Sequence, residues 1–333
     1  MAQTFGALAY GLQQYQKDLT IAGVVANKIA SKGHGEMVKE SLPKSINWFD
    51  YMLKDPEITL AERHLGLVQA QELQNIDDKI ALAAQQIADN SLKTLPAPVD
   101  FDYQEETPQV NKNLQGKTII VAKDLAFSFL YQANLSLLTE SGANLVYTSP
   151  LNDAELPAGD ALYIPGGYPE LYAEKLSNNH SFINSLKNFH QQNKPILAEC
   201  GGMLYLLSEL NTIDEQNYQM AGLLSGSGTM NKKLTAIGLQ SADISQISLK
   251  HSSGAAKASN NNQIKELKQQ HIRGHSFHYS SATINEQPVG HSIFHPRNRQ
   301  AEAIYHKNNL LASYMHWYFP SNPEFIKAFF ANN

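Results

Sequence analysis

The chain has 333 residues, 42% of them hydrophobic and 17% charged, which is a soluble globular balance with room for two domains. A formal net charge of −5 argues against nucleic acid, and no apolar run approaches the roughly 20 residues that a membrane helix needs. One cysteine excludes an internal disulfide and a cysteine-based zinc site, so no metal ligands are assigned. Met1-Ala2-Gln3-Thr4-Phe5 lacks the basic start and apolar core of a signal peptide, and a cytoplasmic location is expected.

Ala2 to Tyr15 has helical apolar spacing, and Leu19 to Ala26 is a short β-branched run suited to a buried parallel strand. Gly33-His34-Gly35 is expected to break the chain before a helical stretch at 36–42, and a longer helical pattern runs over 71–88. This is α/β material with too few strands for a complete doubly wound sheet, as in the later part of a domain whose first strands are absent. Residues 1–91 are therefore read as a partial domain. Residues 92–116, rich in proline and charge and without periodicity, read as a linker.

From 117 to 333 the alternation restarts. Strands are expected over 117–122, 143–148, 160–164 and 195–199, with helices over 131–141 and 182–192. Glycine-rich turns at strand C-termini predict a mostly parallel sheet with flanking helices and a ligand site at that edge. Beyond Gly222 the pattern becomes hairpin-like, with strands 301–306 and 310–315 flanking Lys307-Asn308-Asn309, and a closing helix covers 323–330.

The chemistry concentrates around Cys200. In Pro195-Ile196-Leu197-Ala198-Glu199-Cys200-Gly201-Gly202 a buried strand meets a helix with the cysteine at the junction, the arrangement of a nucleophile elbow. A helix N-terminus favours a thiolate, and the N–H of Gly201 can face a developing oxyanion. A second glycine pair, Gly166-Gly167, ends another strand and can bring further donors to the same edge. A thiol of ordinary pKa ~8.5 needs a base. Of 12 histidines, His316 is best placed, at the end of an apolar strand, with His275 and His278 as rivals.

These residues resemble the cobyrinate a,c-diamide synthase family, glutamine-dependent ligases of corrin biosynthesis. The matching stretches are AGVVANKI (22–29), ERHLGL (62–67), AFSFLYQANLSLL (126–138), GGYPELYAE (166–174), AECGGMLYL (198–206), RGHSFHYS (273–280) and ASYMHWYF (312–319). The resemblance implies a class I glutamine amidotransferase-like domain preceded by the C-terminal part of a P-loop ATPase domain akin to dethiobiotin synthetase. It implies ATP- and Mg²⁺-dependent amidation of the a- and c-acetate carboxylates of cobyrinate. Cys200 is then the nucleophile, His316 its base, Gly166, Gly167 and Gly201 the oxyanion and glutamine contacts, and Asn27 a nucleotide contact. Glutamine and a corrinoid are the expected partners, with a separate N-terminal ATPase half or a second copy.

Three departures stand out. No G-x-x-x-x-G-K-[ST] phosphate loop occurs in the chain, so it is expected to supply mainly the glutaminase half. Ser276 stands where an acidic residue is expected in the family, and His316 is followed by Trp317-Tyr318-Phe319, where family members often carry a second histidine. The alternatives are the amidotransferase of a related ligase (cobyric acid synthase or nickel-sirohydrochlorin a,c-diamide synthase) and a non-catalytic fragment that binds a partner.

Overall fold

The computed structural model describes residues 2–16, 18–60, 68, 72–89, 96–101, 112–245, 247 and 271–332. The ERHLGL stretch lies outside them. The chain divides into two compact units, 1–107 and 108–333. No helix among the described residues is long and apolar enough to cross a membrane.

The first unit contains helix α1 (Gln3–Tyr15), strand β1 (Val24–Ile29), helix α2 (Lys32–Glu40), strand β2 (Trp48–Leu53) and helix α3 (Ile76–Asp89). Strands β1 and β2 pair in parallel, with α2 as the crossover such pairing requires. Its buried apolar cluster is small: Ala26, Ile29 and Val38, with Phe5, Trp48 and Tyr51 packed around them, and Ala9 and Ile46 are also buried. Two expectations are corrected. The run at 19–26 becomes strand only from Val24, and Gly33-His34-Gly35 lies inside α2 instead of breaking the chain. Ser31 accounts for the helix start, because its hydroxyl accepts the His34 N–H at 3.2 Å as an N-cap. Gly35 is there for packing, since a Cβ at that position would lie 2.8 Å from the Tyr51 ring. Strand β2, in the aromatic run WFDYML, was not expected.

The second unit opens with β3 (Thr118–Ala122), α4 (Gln132–Glu140), β4 (Asn144–Thr148), β5 (Ala161–Ile164), α5 (Ala173–Asn178), α6 (His180–Gln191), β6 (Ile196–Glu199) and α7 (Gly201–Leu206). It continues with β7 (Glu209–Asn211), β8 (Asn217–Gln219), β9 (Gly226–Met230), β10 (Ala236–Asp243), β11 (His271–His278) and β12 (Ser280–Ile284). It ends with β13 (Gly290–Phe294), β14 (Arg299–Lys307), β15 (Leu310–Ser313), β16 (His316–Tyr318) and α8 (Pro323–Ala331). Leu114, within the expected linker, is fully buried in this unit, and its N–H donates to the Ser141 carbonyl at 3.0 Å.

Ten strands form one sheet in the order β16-β11-β10-β13-β14-β15-β6-β5-β3-β4, and β12-β9-β7-β8 form a smaller one. From β15 through β6, β5 and β3 to β4 every pairing is parallel. From β15 back to β16 every pairing is antiparallel. The expectation of a mostly parallel sheet is thus corrected to a mixed one. The cause is local: β14 and β15 are joined by a tight turn at Asn308 (φ 55°), and a connection that short permits only antiparallel neighbours.

The sheet also curls. Strands β15 and β16 sit at opposite ends of the antiparallel half, yet Ser313 and His316 are three residues apart. Three residues reach about 10 Å, whereas six strands laid flat span about 24 Å. The antiparallel half must therefore fold back so that β16 returns to the C-terminal edge of β15 and β6. Both faces of the parallel half are buried. Ile120, Leu162, Ile164, Ile196 and Ala198 pack with α5, α6 and α7, while Ile119, Val121, Tyr163 and Leu197 pack with α4 and α8.

Candidate active site

Strand β6 is buried throughout and ends in Glu199; Cys200 follows, and α7 begins at Gly201. Cys200 has φ 46° and ψ −108°, outside the ordinary regions for a side-chain-bearing residue. Two backbone bonds hold it there: the Cys200 N–H donates to the Ser313 carbonyl at 2.8 Å, and the Leu204 N–H donates to the Cys200 carbonyl at 3.0 Å. The glycines that follow answer to space. A Cβ at Gly202 would lie 2.3 Å from the Ile164 carbonyl oxygen, and one at Gly201 would meet Pro169 at 2.8 Å and the Gly167 nitrogen at 3.0 Å. The elbow therefore lies directly against the loop after β5.

That loop is shaped by close approach, since neither Gly166 nor Gly167 has a positive φ. A Cβ on Gly167 would lie 2.1 Å from the Ala126 carbonyl oxygen, and the Tyr168 N–H donates to that same oxygen at 2.9 Å. A Cβ on Gly166 would lie 2.2 Å from Cε1 of His316. The Gly166 carbonyl accepts the Phe129 N–H at 3.0 Å, which ties the loop to the segment before α4. The Gly166–Gly167 loop, the elbow and His316 are thus gathered at one end of the parallel strands.

The expected resident thiolate is not what the environment favours. Cys200 is 5% exposed, and its burial, with the Glu170 carboxylate second, pushes the thiol pKa up. The Gly201 N–H works in the opposite direction by hydrogen bonding toward the sulfur. A buried thiol of this kind needs a base to remove its proton.

His316 meets that need in its charge state. It is buried at the start of β16, and burial, with His275 and His278 nearby, lowers its pKa to about 3, so the imidazole is neutral near pH 7. His275 pairs with it across β11 and β16 and stacks on its ring at 4.9 Å with 20° between planes. This close pairing depends on Gly274, where a Cβ would lie 2.0 Å from the His316 carbonyl oxygen. Nδ1 of His275 bonds the Tyr131 hydroxyl at 2.7 Å. Nδ1 of His316 lies 3.9 Å from Oε2 of Glu199.

The rivals therefore separate. His275 belongs to the His316 group. His278 is held in a neighbouring cluster, stacked on Tyr314 at 3.8 Å and bonded to Glu302 at 3.2 Å and the Ser280 carbonyl at 2.8 Å. Ser276 is fully buried beside Glu302, so a carboxylate from β14 reaches the interior that the expected acidic residue of β11 would have faced. Sequence reasoning missed Glu199, Tyr131, Tyr314 and Glu302. Only Glu199 carried a local signal, as the one charge in an otherwise apolar strand.

Asn27 belongs to the first unit, exposed in β1, and its side-chain oxygen accepts the Lys28 N–H at 2.7 Å. Among the described residues no group of three or more His, Cys, Asp or Glu is placed to hold a metal ion.

Residues 118–324 match the CobB/CobQ-like glutamine amidotransferase domain, which defines the class of the second unit. Over 331 residues the chain is 40% identical to the hydrogenobyrinate a,c-diamide synthase of Pseudomonas aeruginosa, covering 99% of this chain and 71% of that protein. It is 42% identical over 323 residues to the protein of the same name from Stutzerimonas stutzeri, covering 97% and 70%. It is 37% identical over 325 residues to the cobyrinate a,c-diamide synthase of Herminiimonas arsenicoxydans, covering 97% and 68%. The chain belongs to the cobyrinate and hydrogenobyrinate a,c-diamide synthase family.

Proposed function

We propose that this chain releases ammonia from glutamine at Cys200 for amidation of the a- and c-acetate carboxylates of a corrinoid acid, cobyrinate or hydrogenobyrinate. The observation that carries the reading is the elbow itself: a cysteine at φ 46°, against a glycine loop and at the strand edge where a buried neutral histidine sits. The glutamine carboxamide enters between the 166–168 loop and the 200–202 elbow. Neutral His316 takes the thiol proton, and the sulfur attacks the carboxamide carbon. Backbone N–H groups of Gly201 and the Gly166–Gly167 loop face the oxyanion. His316 returns the proton to the departing nitrogen, giving ammonia and a thioester. Water then attacks, so that glutamine and water become glutamate and ammonia with the thiol restored.

Carboxylate activation by ATP and Mg²⁺ is part of the family reading, but the residues at hand do not fit the phosphates and metal. The chain has no G-x-x-x-x-G-K-[ST] loop, and its described acidic residues form no metal cluster. No phosphoryl step is assigned to them. Asn27 is kept as a contact for adenine alone. A reactive cysteine suits a reducing compartment, so the cytoplasm is the proposed location. The test is glutamate release from glutamine by the full chain: Cys200→Ala abolishes it if the reading is right, and equal rates overturn it.

A further inference from the structure

We infer that Glu199 is the positioning carboxylate of this site, holding Nδ1 of His316 and balancing the charge on that ring when it takes the Cys200 proton. The inference deepens the proposed function and rests on the Cys200–His316 pair it names. Glu199 is fully buried, one residue before the nucleophile, in a strand that is otherwise apolar. A carboxylate there is costly unless its oxygens are engaged, and both are. Oε1 accepts the Trp317 N–H at 3.1 Å, from the residue that follows His316. Oε2 accepts the Tyr163 hydroxyl at 3.0 Å, from β5, and lies 3.9 Å from Nδ1 of His316. Among the described residues, His316 is the only ion-pair partner of Glu199 within 4 Å.

The 3.9 Å separation is ion-pair reach, longer than a hydrogen bond, and catalytic contacts of this sort commonly tighten only when substrate is bound. The ring has little freedom to turn away. His275 stacks on one face, and Gly166 comes so close to Cε1 that no side chain fits between them. With Nδ1 committed to Glu199, Nε2 is the nitrogen left for the thiol.

The charge states agree with this role. Burial pushes the Glu199 carboxyl up to about 8 and His316 down to about 3, so each alone prefers to be neutral. The titratable groups facing the pair are Tyr163 from β5, Tyr131 ahead of α4, and His275 and His278 from β11, none of them a fixed cation. At rest both groups are therefore neutral near pH 7, and the positive charge that forms on His316 during turnover favours the ionised form of the carboxyl beside it, so the counter-charge develops together with the imidazolium.

A purely structural Glu199 would only tie β16 to β5 through Trp317 and Tyr163. Glu199→Gln separates the two roles, because the amide keeps the size and an acceptor oxygen while losing the capacity to ionise when His316 becomes charged. The experiment compares glutamate release by the full-length wild type, Glu199→Gln and Cys200→Ala, with thermal melting of each. It also reads the His316 tautomer in the wild type by ¹⁵N NMR of histidine-labelled protein.

We expect kcat of Glu199→Gln to fall at least about tenfold with KM changed less than about twofold, the pattern of an interaction made in the transition state. We expect wild-type His316 to carry its proton on Nδ1. Wild-type kcat in Glu199→Gln, with Cys200→Ala inactive, overturns the inference. So does a wild-type His316 protonated on Nε2 with Nδ1 bare, and that reading needs no variant to fold. Activity retained in Cys200→Ala instead removes the glutaminase reading on which the inference rests.

Discussion

At the scale of single residues, the site is held in shape by positions that allow no alternative. Gly166 gives a direct case. An added methyl would lie 2.2 Å from Cε1 of His316, so Gly166→Ala must displace either the loop or the imidazole. Proximity effects are steep, and an ångström of misplacement costs on the order of 10²-fold in rate. Gly166→Ala should therefore lower kcat for glutamate release by about that factor while the protein stays folded, as circular dichroism and steady-state kinetics together would show.

Glu199 also sets a pH dependence of stability. Its folded pKa, about 8, is above the unfolded value near 4.3, so the native state holds a proton that the unfolded state has lost. That stabilisation is complete below pH ~4 and is lost as pH rises toward 8. His316, depressed to about 3, is neutral in the folded state throughout this range, and Glu170, raised to about 7, is half titrated at pH 7, but both are shared by the wild type and Glu199→Gln and cancel in the comparison. Between pH 7 and 8 the wild type should lose up to about 1.4 kcal/mol that Glu199→Gln keeps, measurable as diverging urea midpoints.

Cys200 and the two glycine pairs were legible in the sequence because their signal is local, an apolar run that stops at a small-residue turn. The contact between Glu199 and His316 was not legible. It joins residues 117 apart, through a strand register that no short window of sequence encodes.

At the scale of elements, β16 carries His316 and, among the described residues, pairs only with β11, so side-chain contacts must help to fix it. Asn134 of α4 does so. Fully buried, its side-chain N–H donates to the Trp317 carbonyl at 2.8 Å and its oxygen accepts the Phe319 N–H at 2.9 Å. Asn134→Ala strands two buried backbone groups at roughly 1–3 kcal/mol each. We expect a loss of about 2–6 kcal/mol in urea unfolding, with kcat reduced because β16 is freed; a change within about 0.5 kcal/mol would show that β16 is held otherwise.

The parallel strands β3, β5 and β6 were readable as short apolar runs ahead of turns, and α4, α6 and α8 by their helical spacing. The mixed character of the sheet was harder to read. Strands such as β10 and β11 carry Gly, Ser, Gln and His on a partly exposed surface, so they lack the hydrophobic signature that marks buried parallel strands. In the first unit, Gly33 and Gly35 looked like breakers because the Ser31 cap and the Tyr51 ring that justify them come from outside the pair.

At the scale of the whole molecule, the two units differ in what they can bury. The second has two large apolar clusters on either side of its parallel strands, whereas among the described residues the first has one small cluster, built on Ala26, Ile29 and Val38. The larger core and the candidate site are both in the second unit, which the matching domain 118–324 spans. The family membership extends over nearly the whole chain, so the first unit is part of the same enzyme design even though no phosphate loop lies within it.

The account turns on one measurement, the rate at which the full chain converts glutamine to glutamate and ammonia, beside Cys200→Ala under the same conditions. It predicts one glutamate for each ammonia from the wild type and none above background from the variant. Equal rates from a folded Cys200→Ala protein would contradict it and take the elbow out of the chemistry.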